Sequence, residues 1–206
     1  SGIGPKAHLQ QHGIAVLHDL PGVGQNLQDH VNTSLSYRTP RWKETVGVSV
    51  RGAWELIKAI FQWRRERTGW ITTPGVESNG FASTCGNPDH PDIQLAFVPV
   101  IIDDHTRKTH LGHGYTLHTT LMRPKSRGSV TLQSADPYQA PAIDPGFFTH
   151  PDDMAVAIKG ARMGFEILEA KAMAPYRGKR LHPFDVNADK AMESFLRATS
   201  DTEYHP

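Results

Sequence analysis

Tyr115-Thr116-Leu117-His118-Thr119-Thr120-Leu121-Met122-Arg123-Pro124-Lys125-Ser126-Arg127-Gly128-Ser129-Val130-Thr131-Leu132-Gln133 decides the fold of this chain. Residues 115–122 combine an aromatic, leucines and threonines, types that suit a pleated surface, and predict a strand. Arg123 to Gly128 carries turn residues, and residues 129–133 predict a second strand after a loop or hairpin connection. Upstream, residues 93–102 form a long apolar run with Pro99 marking an edge or bend, and residues 81–84 a short one. Residues 31–37 alternate Val31, Thr33, Leu35 and Tyr37, the period of a strand. Helical patterns are interspersed without strict βαβ alternation. The expected class is therefore α+β, a mostly antiparallel sheet covered on one face by helices.

The strongest helical pattern is 48–67, where Val50, Ala53, Trp54, Ile57, Ile60 and Phe61 recur at three- and four-residue spacing. Arg64, Arg65 and Arg67 sit at its end, where cations complement the helix dipole, and Gly69 stops it. The expectation is a buried stripe with a solvated basic end, with contact to a membrane surface or partner as the less favoured reading. Pro151-Asp152-Asp153 opens a helix running to about Ala170, since proline and acids favour a first turn. These two helices are the ones expected to cover the sheet. Residues 188–198 predict a third helix, and Ile14 to Leu20 a short strand.

With 206 residues, 22 Lys and Arg against 21 Asp and Glu, and a formal net charge of +1, the chain has no basic stripe and is not expected to bind nucleic acid. One cysteine, Cys85, excludes an internal disulfide framework and is expected as a small core or strand residue. No stretch approaches the roughly 20 apolar residues that span a bilayer. The first residue is not methionine and no signal peptide is seen, so the chain reads as a piece of a longer protein. The expected compartment is the cytoplasm, with the periphery of the inner membrane as an alternative.

Three kinds of chemistry are poorly supported by the residues alone. Gly22-Val23-Gly24 is followed by Gln25-Asn26-Leu27, so the last glycine of a dinucleotide fingerprint is missing and no long helix follows. Asp103, Asp104, His105, His110, His113 and His118 are crowded in sequence, but they lack the spacing of a helical zinc pair, and no metal is expected. No Gly-x-Ser-x-Gly elbow exists. The terminal Thr202-Glu203-Tyr204-His205-Pro206 offers an imidazole suited to proton transfer near neutral pH.

Five blocks, in order, resemble the glucose-methanol-choline (GMC) family of flavin oxidoreductases: Ser1 to Pro5, Asp19-Leu20-Pro21-Gly22-Val23-Gly24-Gln25-Asn26-Leu27-Gln28-Asp29-His30, Arg123 to Leu132, Ile143-Asp144-Pro145, and Tyr204-His205-Pro206. The flavour is that of the bacterial choline dehydrogenase and aliphatic alcohol dehydrogenase branch. The resemblance implies that residues 1–30 are a remnant joining a flavin domain and that residues 31–206 are a substrate-binding domain ending at the active-site histidine. It implies FAD in the full-length parent, with none held by this piece, which is expected to be inactive. It implies hydride transfer from the CH–OH group of a choline-like or aliphatic alcohol, with His205 as acid/base and Glu77 and Tyr204 lining the substrate. The implied partners are the alcohol and the flavin domain of the same chain, with self-association through the seam that the missing domain would cover. The alternatives are a hydroxynitrile-lyase-like relative and a non-enzymatic α+β binding module. A side chain next to a chain end is expected to sit loosely, so His205 is expected out of place here.

Overall fold

The computed structural model describes residues 1–206, except for the side chain of His105. In chain order the elements are β1 (Ile3–Gly4), α1 (Lys6–Gln11), β2 (His18–Asp19), β3 (Gln25–Leu27), β4 (Val31–Arg38), β5 (Gly47–Val48), α2 (Val50–Glu66), β6 (Ser78–Ala82), β7 (Ile93–Val98), β8 (Gly112–Leu121), β9 (Gly128–Thr131), β10 (Ala142–Asp144), α3 (Pro151–Glu169), α4 (Asp189–Thr199) and β11 (Asp201–Thr202). The main sheet runs β11-β4-β8-β7-β6, with β5 clipped to the start of β8. All its pairings are antiparallel. β4 lies along β8 from Val31↔Leu121 to Arg38↔Gly114, and β7 lies on the other side of β8 from Ile93↔Leu121 to Val98↔Thr116. The expected α+β class with a mostly antiparallel sheet is thus the observed one.

The sheet's apolar face carries Leu35, Tyr37, Ile93, Tyr115, Leu117 and Leu121, all buried. α3 lies on it because its contact stripe is small. A Cβ at Gly164 would come within 2.6 Å of Leu35 and 2.9 Å of Thr119, and one at Gly160 within 2.6 Å of Ile93. The helix axis therefore approaches closely, and Phe165 and Leu168 fill the core beside it. α4 adds Met192, Phe195 and Leu196. Pro151 opens α3 as expected, and the His150 side chain accepts a hydrogen bond from the Asp152 amide as its cap.

Three expectations need correction. The helix over 48–67 does not cover the sheet. Only Ala59 of α2 is buried, and Val50, Trp54, Ile57 and Phe61 face solvent. α2 is instead seated by its Gly52 and Ala59 side over β5 and the turn Trp70–Thr72, so its apolar face points away. Residues 129–133 do not join the main sheet. β9 belongs to a separate antiparallel sheet, β10-β9-β3, so β8 and β9 do not form a hairpin. The cause is Asp153 at the start of α3. Its buried carboxylate accepts from the Lys125 amide (2.8 Å) and the Ser126 amide (2.8 Å), pulling the connection onto the helix end and away from β8. Cys85, expected as a small core or strand residue, is exposed in a turn, with Sγ 3.2 Å from Ser83 Oγ.

Residues 1–30 are tied to this second sheet. Gln25 pairs with Ser129, and His8 Nε2 accepts from the Leu132 amide at 3.0 Å. The strand expected at 14–20 shrinks to His18–Asp19, which pairs in parallel with Ile3–Gly4. Gly24 is required here by a close approach. It has φ +75, and a Cβ would lie 2.2 Å from the Val130 carbonyl oxygen.

Candidate active site

The end of the chain folds back onto the start of β4. After α4, Ser200 Oγ meets Thr33 Oγ1 at 2.6 Å, and β11 pairs with Val31 and Asn32. The Glu203 amide then donates to the His30 carbonyl at 3.0 Å. Tyr204 turns the backbone with φ 63, and its amide donates to Thr202 Oγ1 at 2.9 Å. That reversal carries His205 over His30, with the rings edge to face at 4.9 Å and their Nδ1 atoms 2.9 Å apart. His205 is therefore held, against the expectation of a loose end.

The protons of this pair can be placed. His30 Nε2 lies 3.1 Å from the Met122 carbonyl oxygen, which only accepts, so Nε2 carries the hydrogen. In the neutral ring His30 Nδ1 is then an acceptor, and the hydrogen shared at 2.9 Å comes from His205 Nδ1. His205 Nε2 keeps its lone pair. The Met122 carbonyl, just past the end of β8, thus sets the tautomer of a ring two hydrogen bonds away, the arrangement required of an imidazole base.

Two carboxyl groups flank the pair. Glu203 is pushed above the usual carboxylate range by burial, with the nearby His205 pulling it back in part. Its Oε2 and Asp29 Oδ1 are both buried without a hydrogen-bond partner. Orphaned buried acceptors are uncommon and mark places where another group is wanted. A cavity of about 360 Å³ opens here, between the Gln28–His30 segment, the Met122–Pro124 segment and Pro206.

Tyr204 is adjacent to this centre, with its side chain largely exposed. Glu77 is not at it. The Glu77 amide donates to the Phe97 carbonyl (2.9 Å), near the far end of β7, and Thr73 Oγ1 donates to its carboxylate at 2.7 Å. Met122, which holds His30, donates instead to Asp92 at the opposite end of β7. Five residues of strand at about 3.3 Å each separate the two levels by roughly 17 Å. Glu77 opens onto its own cleft with Glu44, Trp70 and Phe97.

The histidines crowded in sequence diverge in space. His113 Nε2 meets Ser49 Oγ at 2.7 Å, and His118 Nδ1 meets the Asn32 side chain at 2.9 Å. Asp103 bridges His110 and the sequence-distant His182, with Oδ2 2.7 Å from His110 Nε2 and Oδ1 3.1 Å from His182 Nε2. Burial pushes the Asp103 carboxyl up, but the hydrogen bonds from His110 and His182 together bring it below its ordinary range. Among the described residues no three His, Cys, Asp or Glu side chains are grouped to hold a metal ion.

Sequence reasoning quoted His30 and Glu203 without giving them a role, and it missed Asp29 as a site residue. The signal lay in the register: the block ending Asp29-His30 immediately precedes β4, and Glu203-Tyr204-His205 immediately follows β11, its antiparallel neighbour. Pairing alone brings the two blocks to one end of the sheet.

Known proteins share both sequence and fold with this chain. A family model described as GMC oxidoreductase matches residues 124–206. An alcohol dehydrogenase [acceptor] from Pseudomonas putida is 37% identical over 211 residues, covering 100% of this chain and 37% of that protein. An oxygen-dependent choline dehydrogenase from Brucella ovis is 36% identical, again over 100% of this chain and 37% of its own length. A variant of formate oxidase from Aspergillus oryzae RIB40, studied for its FAD modification, superposes with a TM-score of 0.86 at 25% identity, over 100% of this chain and 41% of that one. Pyridoxine 4-oxidase from Mesorbium loti gives a TM-score of 0.79 at 23% identity, over 100% of this chain and 36% of that one. The chain thus spans little more than a third of the curated relatives it matches, and with 36–37% identity along its whole length to them it belongs to the GMC oxidoreductase family.

Proposed function

We propose that this chain is the substrate-binding part of a FAD-dependent oxidoreductase that oxidises the CH–OH group of an alcohol, with His205 as the base. The observation that carries the reading is the Met122–His30–His205 hydrogen-bond chain, which leaves the lone pair on His205 Nε2, while His30 and Pro206 line the neighbouring cavity. Alcohol oxidation takes a proton from oxygen and a hydride from carbon. When bound, FAD supplies the hydride acceptor. This chain supplies the proton acceptor, and His30 holds it in the correct tautomer.

The residues present fit one edge of such a cofactor and not the whole of it. The orphaned oxygens of Asp29 and Glu203 can receive polar hydrogens next to His205. A pyrophosphate cradle is another matter. Gly22-Val23-Gly24 runs into strand β3 rather than a helix, and α1 spans only six residues. A flavin domain elsewhere in the protein would complete the site. Residues 1–30 with β9 and β10 are the natural side for it, since Ile3, Leu17, Leu20, Val23, Tyr138 and Ile143 all stand exposed there. In this reading the substrate-binding part proper begins at residue 31, and the piece alone neither holds FAD nor turns over.

The substrate we favour is an uncharged alcohol. Glu77, the carboxylate that would face an ammonium group, is roughly 17 Å from the His30 level along β7. The test uses the full-length protein without oxygen. A primary aliphatic alcohol should bleach the flavin faster than choline does. Choline as the faster substrate would restore Glu77 as a recognition residue. Cyanide release from a hydroxynitrile without bleaching would replace the oxidoreductase reading with a lyase.

A further inference from the structure

We propose that α2 is a docking element for an anionic lipid surface. Val50, Trp54, Ile57 and Phe61, at spacings of four, three and four, form one stripe about 16 Å long. Their exposures are 90%, 60%, 45% and 62%, far above what a structural stripe shows. Such a stripe on a well-seated helix needs an occupant. The helix is well seated: Ser49 Oγ caps it by accepting from the Gly52 amide at 2.9 Å, and the same hydroxyl meets His113 Nε2 on β8 at 2.7 Å.

The charges around the stripe identify the occupant. At 100° per residue, Arg51, Lys58 and Arg65 lie along one flank of the stripe and Arg64 along the other. All four are exposed. Lys58 is ion-paired to Glu55 (2.6 Å), and the Arg51 guanidinium lies 5.3 Å from the centre of the Trp42 ring. The helix's two carboxylates, Glu55 and Glu66, project about 130–150° away from the stripe, toward the seated side. Glu55 lines the small cavity under the helix with Gly52 and Ala59. The outward face is thus apolar at its centre, with Arg51 and Arg65 along one edge and Arg64 along the other, while Lys58 is neutralised by Glu55. Trp70 and Ile71, each 40% exposed, extend the apolar surface in the following turn. An apolar strip with arginines along its margins matches a planar surface of acyl chains under anionic headgroups. At 17 residues with charged flanks, the helix would lie in the interface and not cross it.

The experiment is co-sedimentation of the full-length protein with phosphatidylcholine vesicles, with and without phosphatidylglycerol. Two variants are compared, Trp54→Ser with Phe61→Ser, and Arg51→Gln with Arg64→Gln and Arg65→Gln. Circular dichroism and turnover of a soluble alcohol check that both remain folded. The expected result is binding to the anionic vesicles alone, weakened by added salt, and reduced at least about tenfold in each variant. Equal binding to both vesicle types, no binding, or variants that bind like wild type would overturn the proposal. So would a concentration-dependent dimer that Trp54→Ser with Phe61→Ser dissociates, which would make the face a contact between copies. Shielding of Trp54 from a soluble quencher before vesicles are added would assign the face to another part of the same protein.

Discussion

His30 and His205 show how a single acceptor can set chemistry at a distance. The Met122 carbonyl accepts from His30, and His30 in turn accepts from His205. His30→Ala should therefore lower kcat in the full-length protein with little change in KM, because it frees the His205 ring without removing it. His30→Gln, which can both donate and accept, should recover part of the loss. Equal kcat in wild type and His30→Ala would show that the tautomer does not depend on this bond. Tyr115 offers a simpler case. Its hydroxyl is buried without a partner, and burial pushes it up to about 12. Tyr115→Phe keeps the stacking on Tyr37 and removes the orphaned group, so urea unfolding should show a gain of about 1 kcal/mol. A loss would mean that the hydroxyl has a partner in solution. Asp103 predicts a pH effect. Its folded carboxyl sits below the ordinary range, so its contribution is complete above about pH 4 and fades as pH falls through the lowered value. Asp103→Asn should flatten the acid side of a stability-against-pH curve and leave the alkaline side unchanged.

At the scale of elements, alternation, apolar runs and helix start signals were enough to find β4, β7, β8, α3 and α4 to within a few residues. What it could not give was the partner of each apolar face. α2 and α3 both show a helical stripe, yet only α3 has Gly160 and Gly164 where the sheet must come close. Small residues in a helix look like poor helix formers until the surface against them is known. Gly164→Leu should cost about 3 kcal/mol by forcing Leu35 and Thr119 apart. A stable Gly164→Leu protein would mean that α3 is not seated where it is described. Asp153 was legible as a first-turn acid and no more. Its real work is to hold two backbone amides of the loop between β8 and β9. Asp153→Ala orphans both and should cost about 3 kcal/mol, while Asp152→Ala, one residue away and solvent-facing, should barely change the unfolding midpoint.

For the whole molecule, the candidate site at the end of the sheet is assembled from segments 175 residues apart in sequence, His30 and His205. The motifs carrying the family resemblance were visible one by one. Their meeting was not, because it depends on β11 pairing with β4, and β11 has only two residues. Glu77 shows what position along a strand adds to a family pattern. A family pattern suggested a place beside the substrate, but strand length puts it at the other end of β7 from His205's support. His205, oriented by His30, is the proposed base for alcohol oxidation. This role is tested most directly by turnover of full-length His205→Ala against pH. The account predicts a kcat lower by roughly 10²–10⁴, nearly unchanged substrate binding, and loss of the rise in rate that follows deprotonation of an imidazole. A variant within about threefold of wild-type kcat, with the same pH profile, would contradict it.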